Sequence, residues 1–210
     1  MKVNSINAII FDLGGVILDL DYGLTINGFN KLGCKDFNSL YNQQKQNQLF
    51  DDFETGKISA VEFRKNLQNQ MNISVTDKDF DSAWNAMLLQ LPIKRIELLQ
   101  RLKKNYPIFL LSNTNEIHIK EFQKIIDSSI GYTTFTNCFN KVYYSSEIGL
   151  RKPSEACFKM VLNENNLTAE KTLFIDDSAQ HINGAKAIGI RTNLLKKQED
   201  LTSLFPDTIL

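Results

Sequence analysis

The strongest constraint on this chain is the way its apolar runs stop. Residues 7–11, Asn-Ala-Ile-Ile-Phe, end at Asp12 and a glycine pair, Gly14 and Gly15. The run Tyr106-Pro107-Ile108-Phe109-Leu110-Leu111 ends at Ser112-Asn113, and Lys171-Thr172-Leu173-Phe174-Ile175 ends at Asp176-Asp177. Short apolar runs closed by polar or turn-forming residues read as buried strands. From about residue 92 they alternate with helical patterns. Pro92 opens a helix with Ile93, Ile96, Leu99 and Leu102 on one face, and a second helix covers about 115–126. A β-rich run, Lys141 to Tyr144, precedes a helix from Pro153 to about Asn165. After the 171–175 strand come another helix and a last strand over 190–195. Such alternation predicts an α/β fold, a Rossmann-like parallel sheet with helices on both faces, to which residues 1–17 add one more strand.

Residues 20–91 have a different character: polar, rich in Gln and Asn, with helical periodicity and no convincing strand. Ser59 and Glu62 have the spacing of a capping box, with Val61, Phe63 and Leu67 as the apolar face behind it. Phe80, Trp84 and Met87 or Leu88 form a second amphipathic stripe, in which Trp84 reads as core rather than as a ligand platform. The expected organisation is a core α/β domain over 1–19 and 92–210 and an inserted all-helical domain over 20–91.

With 42% hydrophobic residues in 210, there is material for a real core. Lys and Arg number 24 and so do Asp and Glu, and a chain with no cationic surplus is a poor match for a phosphate backbone. Nucleic acid is therefore not expected as a partner, and neither is a membrane, since no stretch approaches 18 apolar residues. The apolar start is interrupted by Asp12 and lacks a small-residue cleavage site, so it reads as a strand rather than a leader. Three widely spaced cysteines, Cys34, Cys138 and Cys157, make neither a disulfide framework nor a zinc site and suit a reducing cytoplasm.

Asp12, Ser112, Asp176 and Asp177 each follow directly on an apolar strand. In an open α/β sheet the ligand crevice lies at the carboxyl ends of the strands, so these groups are expected to converge. Close carboxylates repel one another unless a cation neutralises them, and an all-oxygen set favours Mg²⁺. The Ser112 hydroxyl, the Asn113 amide and the Lys152 ammonium beside such a site suit a phosphate dianion. A carboxylate next to bound phosphate is also a potential nucleophile, forming an aspartyl phosphate. Lys152 is expected at the surface, where its loss would leave the fold intact.

In this order the motifs resemble those of the haloacid dehalogenase-like hydrolase superfamily: Ile10-Phe11-Asp12-Leu13-Gly14-Gly15-Val16, Leu110-Leu111-Ser112-Asn113, Lys152-Pro153 after Gly149-Leu150-Arg151, and Phe174-Ile175-Asp176-Asp177. The resemblance implies that Asp12 attacks phosphorus, and that Ser112 and Lys152 hold the phosphoryl oxygens. It places Mg²⁺ on Asp12, the Gly14 carbonyl and Asp177, with Asp176 as a further ligand or just behind. It also makes the 20–91 insertion a cap that selects a small phosphomonoester substrate. Within the superfamily the chain looks most like bacterial sugar phosphatases acting on α-D-glucose 1-phosphate, through FDLG, Leu-Ser-Asn-Thr-Asn at 111–115 and Gly149 to Pro153.

Two positions depart from the family pattern. The acid that usually stands two residues after the nucleophile is Gly14, and the Asp four residues beyond the fourth-motif acid is His181. Lacking that first acid disfavours a mutase, and dehalogenases usually carry an aromatic residue there. What is expected is a phosphatase that prefers good leaving groups, such as hexose 1-phosphates, over hexose 6-phosphates, and that gains on poor leaving groups with Gly14→Asp if the side chain fits. Asp19 and Asp21 are alternative acids or sugar contacts, or else simply start the next helix; His118 and His181 are read as helix residues with no role. The rival readings are a haloacid dehalogenase and a catalytically weakened hydrolase fold used for binding. A phospho-receiver domain is disfavoured, because receivers place the acidic pair before the phospho-acceptor and lack a cap.

Overall fold

The computed structural model describes residues 6–41 and 47–205; the first five residues of the start weighed above as a leader lie outside them. Strands β1 (Ala8–Phe11), β2 (Ile108–Ser112), β3 (Lys141–Tyr144), β4 (Thr172–Asp176) and β5 (Arg191–Leu194) form one parallel sheet in the order β3-β2-β1-β4-β5. Between β1 and β2 the chain forms α1 (Tyr22–Lys31), α2 (Phe37–Leu40), α3 (Gln48–Glu54), α4 (Ala60–Met71), α5 (Asp77–Asn85) and α6 (Ile93–Lys103). Then come α7 (Glu116–Ser129), α8 (Tyr132–Thr136), α9 (Ser145–Ile148), α10 (Glu155–Glu164) and α11 (Ala179–Ala187).

Alternate side chains of a strand point to opposite faces, and β1 divides its residues accordingly. Ile9 and Phe11 pack with Leu99 and Leu102 of α6 and Phe122 and Ile126 of α7. Ala8 and Ile10 pack with Phe158 and Val161 of α10 and Ile182 and Ala185 of α11. Every residue of β1, β2 and β4 is buried, as expected of a parallel sheet covered on both sides. Phe11 pairs with Leu110 on β2 and with Ile175 on β4, which sets Asp12 level with Asp176 at the carboxyl edge.

The inserted helices have a core of their own, built on aromatic rings: Phe53 stacks on Phe63 at 4.1 Å, and Trp84 lies among Phe50, Phe63 and Tyr41. The capping box is present, with Ser59 accepting from the Glu62 N–H and Glu62 accepting from the Ser59 N–H. The buried stripe of α4 runs through Ala60, Phe63, Leu67 and Met71. Val61 is one position off that stripe and 69% exposed, against its sequence-based placement on the apolar face. Among the described residues no helix is long and apolar enough to cross a membrane.

His118 joins the insertion to the sheet domain. It is buried on α7 and stacks on Trp84 at 4.9 Å. Its Nε2 donates to the Trp84 carbonyl at 3.2 Å, and its Nδ1 accepts from the Asn115 amide at 3.2 Å. Burial pushes its pKa down to about 4. As pH falls below 6.5 the unfolded chain takes up a proton on this residue, whereas the folded chain refuses it until about pH 4. Stability should therefore decline across that interval, by up to about 3 kcal/mol, and level off below it. His118→Gln should remove this part of the slope, checked by urea melts of both proteins between pH 7 and 4. Equal slopes would contradict the assignment.

Candidate active site

Asp12 leaves β1 with its N–H donating to the Ile175 carbonyl at 3.0 Å. Gly15 follows at φ +73°, a backbone conformation that favours glycine, and a Cβ there would run into the Asp177 carboxylate. The turn thus brings Asp12 and Asp177 together, and one carboxylate oxygen from each of Asp12, Asp176 and Asp177 lies within 4.8 Å of the others.

Lys152 occupies the centre of this cluster and is fully buried, contrary to the surface position expected from sequence. Its Nζ donates to Asp12 Oδ1 and to Asp176 Oδ2, each at 2.7 Å. A lysine tolerates such burial only when paired. Burial alone would depress its pKa, but the two carboxylates outweigh that and hold it above the ordinary lysine value. Asp176 is pushed up by burial but brought down to about 2 by Lys152 and His181. Burial raises the carboxyl of Asp12, which Lys152 offsets only in part.

The carboxylate of Asp176 is fully engaged, for it also accepts from the Ser178 N–H at 2.7 Å and meets His181 Nδ1 at 3.0 Å. His181 is accordingly part of the site, against the expectation of a rim residue without a role. Asn113 clasps the backbone of Lys152: its Nδ2 donates to the Lys152 carbonyl and its Oδ1 accepts from the Lys152 N–H, both at 2.9 Å. Ser112, the last residue of β2, is buried.

A cavity of about 190 Å³ opens over this cluster, and Asp12, Gly14, Ser112, Asn113, Asp177 and His181 line its floor. Its roof contains residues that sequence reasoning missed: Tyr22 at the start of α1, Tyr41, and Asp51 and Glu54 on α3. Arg151 reaches both acids, pairing with Asp51 and, at 3.0 Å, with Glu54. Burial raises the phenol pKa of both Tyr22 and Tyr41, so they face the cavity as neutral hydroxyls. Asp51 and Glu54 fall three residues apart on a helix, a spacing that puts them on one side, but nothing in the sequence marks which core residue they meet.

Asp19 and Asp21 do not line the cavity. Asp19 pairs with Arg95 at 2.8 Å, and Asp21 caps α1 by accepting from the Gly23 N–H. Asp21 thus starts the helix, whereas Asp19 is tied into an ion pair instead. A Cβ on Gly14 would lie 2.5 Å from Leu20 Cδ1. Leu20 fills the space a longer side chain would need, so Gly14→Asp has no room there unless Leu20 moves.

A family model described as haloacid dehalogenase-like hydrolase matches residues 9–195. The chain belongs to this family of hydrolases. It is 32% identical to D-ribitol-5-phosphate phosphatase of Bacteroides thetaiotaomicron, over 89% of this chain and 90% of that protein. Among solved structures it is similar to a haloacid dehalogenase family enzyme from the same organism, an aspartate-to-alanine mutant in complex with magnesium and inorganic phosphate. That likeness has a TM-score of 0.88 and 34% identity, and covers 96% of this chain and all of that one. A haloacid dehalogenase-like hydrolase from Porphyromonas gingivalis matches with a TM-score of 0.83 and 28% identity, over 97% of this chain and 99% of its own.

Proposed function

We infer that this chain is a Mg²⁺-dependent phosphatase that hydrolyses small hydroxyl-bearing phosphomonoesters through an aspartyl phosphate on Asp12. The observation that carries the reading is the position of Asp12: at the carboxyl end of the central strand, against a buried lysine, on the floor of a polar cavity. Residues 20–91 act as the cap, and their helices supply its roof.

Three carboxylates against one ammonium leave an excess of negative charge, and the donors are all oxygen, so the site fits Mg²⁺. Asp12, Asp177 and the Gly14 carbonyl would hold it, with Asp176 behind them as the anchor of Lys152. Mg²⁺ there supplies the positive charge that lets a phosphate dianion approach a carboxylate. Asp12 then attacks phosphorus in line with the ester oxygen; the P–O ester bond breaks, and the leaving oxygen takes a proton from solvent. Lys152 and Ser112 hold the phosphoryl oxygens as charge shifts onto them, while Asn113 keeps the Lys152 backbone in place. Water next attacks the phosphorus of the aspartyl phosphate, the P–O bond to Asp12 breaks, and the carboxylate and inorganic phosphate are released.

A cavity of about 190 Å³ favours an organic part of sugar size. The similarity to D-ribitol-5-phosphate phosphatase supports a polyol or sugar phosphate, and the ratio of kcat/KM for D-ribitol 5-phosphate and α-D-glucose 1-phosphate decides between an open-chain and a cyclic substrate. The three cysteines are all buried free thiols, which supports placing the protein in the cytoplasm.

The test is p-nitrophenyl phosphate turnover with and without Mg²⁺. Turnover should require the ion, and Asp177→Asn should raise the Mg²⁺ concentration needed by on the order of 10-fold or more. Full activity of that variant at low Mg²⁺ would overturn the metal assignment. A protein that binds Mg²⁺ but turns nothing over would instead be a binding module on a hydrolase fold.

A further inference from the structure

We propose that Arg151, Asp51 and Glu54 form a charge filter in the cavity roof that admits neutral, hydroxyl-bearing organic groups and rejects substrates carrying a second anion. This rests on the phosphatase reading and specifies the substrate class for the same site.

The three side chains come from two separate parts of the chain. Arg151 is the residue before Lys152, on the sheet domain; Asp51 and Glu54 are on α3 of the inserted helices. The guanidinium pairs with both carboxylates, and all three line the cavity that holds Asp12. Glu54 is buried and Arg151 largely so, so water screens their charges poorly. Arg151 is the only lysine or arginine among the described residues that line the cavity. With one guanidinium between two carboxylates, the formal charge of the roof is negative. A carboxylate or second phosphate on the substrate would meet that excess and, among the described residues of the roof, find no second cation, a like-charge juxtaposition that opposes binding. A hydroxyl suits the same surface, because it donates to a carboxylate oxygen and accepts from a guanidinium N–H. The neutral phenols of Tyr22 and Tyr41 extend the surface without altering its charge.

The filter can be read with a matched pair of substrates, D-ribitol 5-phosphate and 5-phospho-D-ribonate, which differ by a carboxylate in place of the terminal CH₂OH. The native enzyme should favour the ribitol ester in kcat/KM by on the order of tenfold or more. Glu54→Gln should shrink that ratio severalfold, through a lower KM for the ribonate ester and a higher one for the ribitol ester. Asp51→Asn, at a more exposed position, should move the ratio the same way by less. p-Nitrophenyl phosphate, which has no hydroxyl, is measured alongside. If the native enzyme turns over the aryl phosphate but treats the two pentose-derived esters alike, or if neither variant changes their ratio, the filter is overturned and the phosphatase reading stands. If the native enzyme turns over none of the three with Mg²⁺ present, the phosphatase reading falls and the filter with it.

Discussion

Asp12→Asn should lower kcat for every phosphomonoester by roughly 10³-fold or more, because in the proposed reaction the residue supplies the attacking atom and no neighbour can take its place. Asp176 is just as close to Lys152, but it is wholly buried and its oxygens are taken up by Lys152, His181 and the Ser178 N–H. Asp177 lines the cavity, but in the proposed reaction it holds the metal. Asparagine has the shape of aspartate, and Lys152 keeps its pairing with Asp176, so the variant should fold normally. Loss of activity with an unchanged melting temperature is the expected combination. Turnover within tenfold of native would remove Asp12 from the role of nucleophile.

Lys152→Met should be costly twice over. The ammonium touches both Asp12 and Asp176, so its removal should lower kcat/KM by on the order of 10²-fold or more through lost stabilisation of phosphoryl charge. It also strands two carboxylates in the interior, one of them fully buried. Breaking a buried pair by removing one partner costs about 3–5 kcal/mol, and at roughly 2–4 °C per kcal/mol for a chain of this size the melting temperature should fall by about 10 °C. Mg²⁺ should recover part of that loss, since the ion brings positive charge to the same carboxylates. A variant with native stability in the absence of metal would contradict the buried ion pair.

This double effect shows what the sequence conveyed and what it left out. Asp12, Ser112 and Asp176 end strands because an apolar run that meets a polar residue at a sheet edge must stop there, and that boundary is visible in the chain itself. The division of Ile9 and Phe11 from Ala8 and Ile10 onto two faces follows from strand geometry. Burial of Lys152 does not follow from anything local. Gly149-Leu150-Arg151-Lys152-Pro153 has no periodicity, and only the sheet brings Asp12 and Asp176 to the ammonium. The same holds for Glu54 and Asp51, which look like the polar face of a short helix until Arg151 is seen against them. His181 stands five residues beyond Asp176, in the first turn of α11, and its ring reaches back to that carboxylate across the turn, a contact that no helical spacing signals. That position 14 is a glycine is plain in the sequence, but that Leu20 packs against it is a fact of packing.

The central claim is that phosphate passes through Asp12. It is tested most directly by quenching the enzyme in acid during turnover of a good substrate, reducing any acyl phosphate with borohydride, and mapping the peptides by mass spectrometry. Reduction converts a phosphorylated aspartate to homoserine, and the account predicts homoserine at position 12 in a fraction that disappears when substrate is omitted. Unmodified Asp12 under conditions of rapid turnover, or the modification at Asp176 or Asp177 instead, would contradict it.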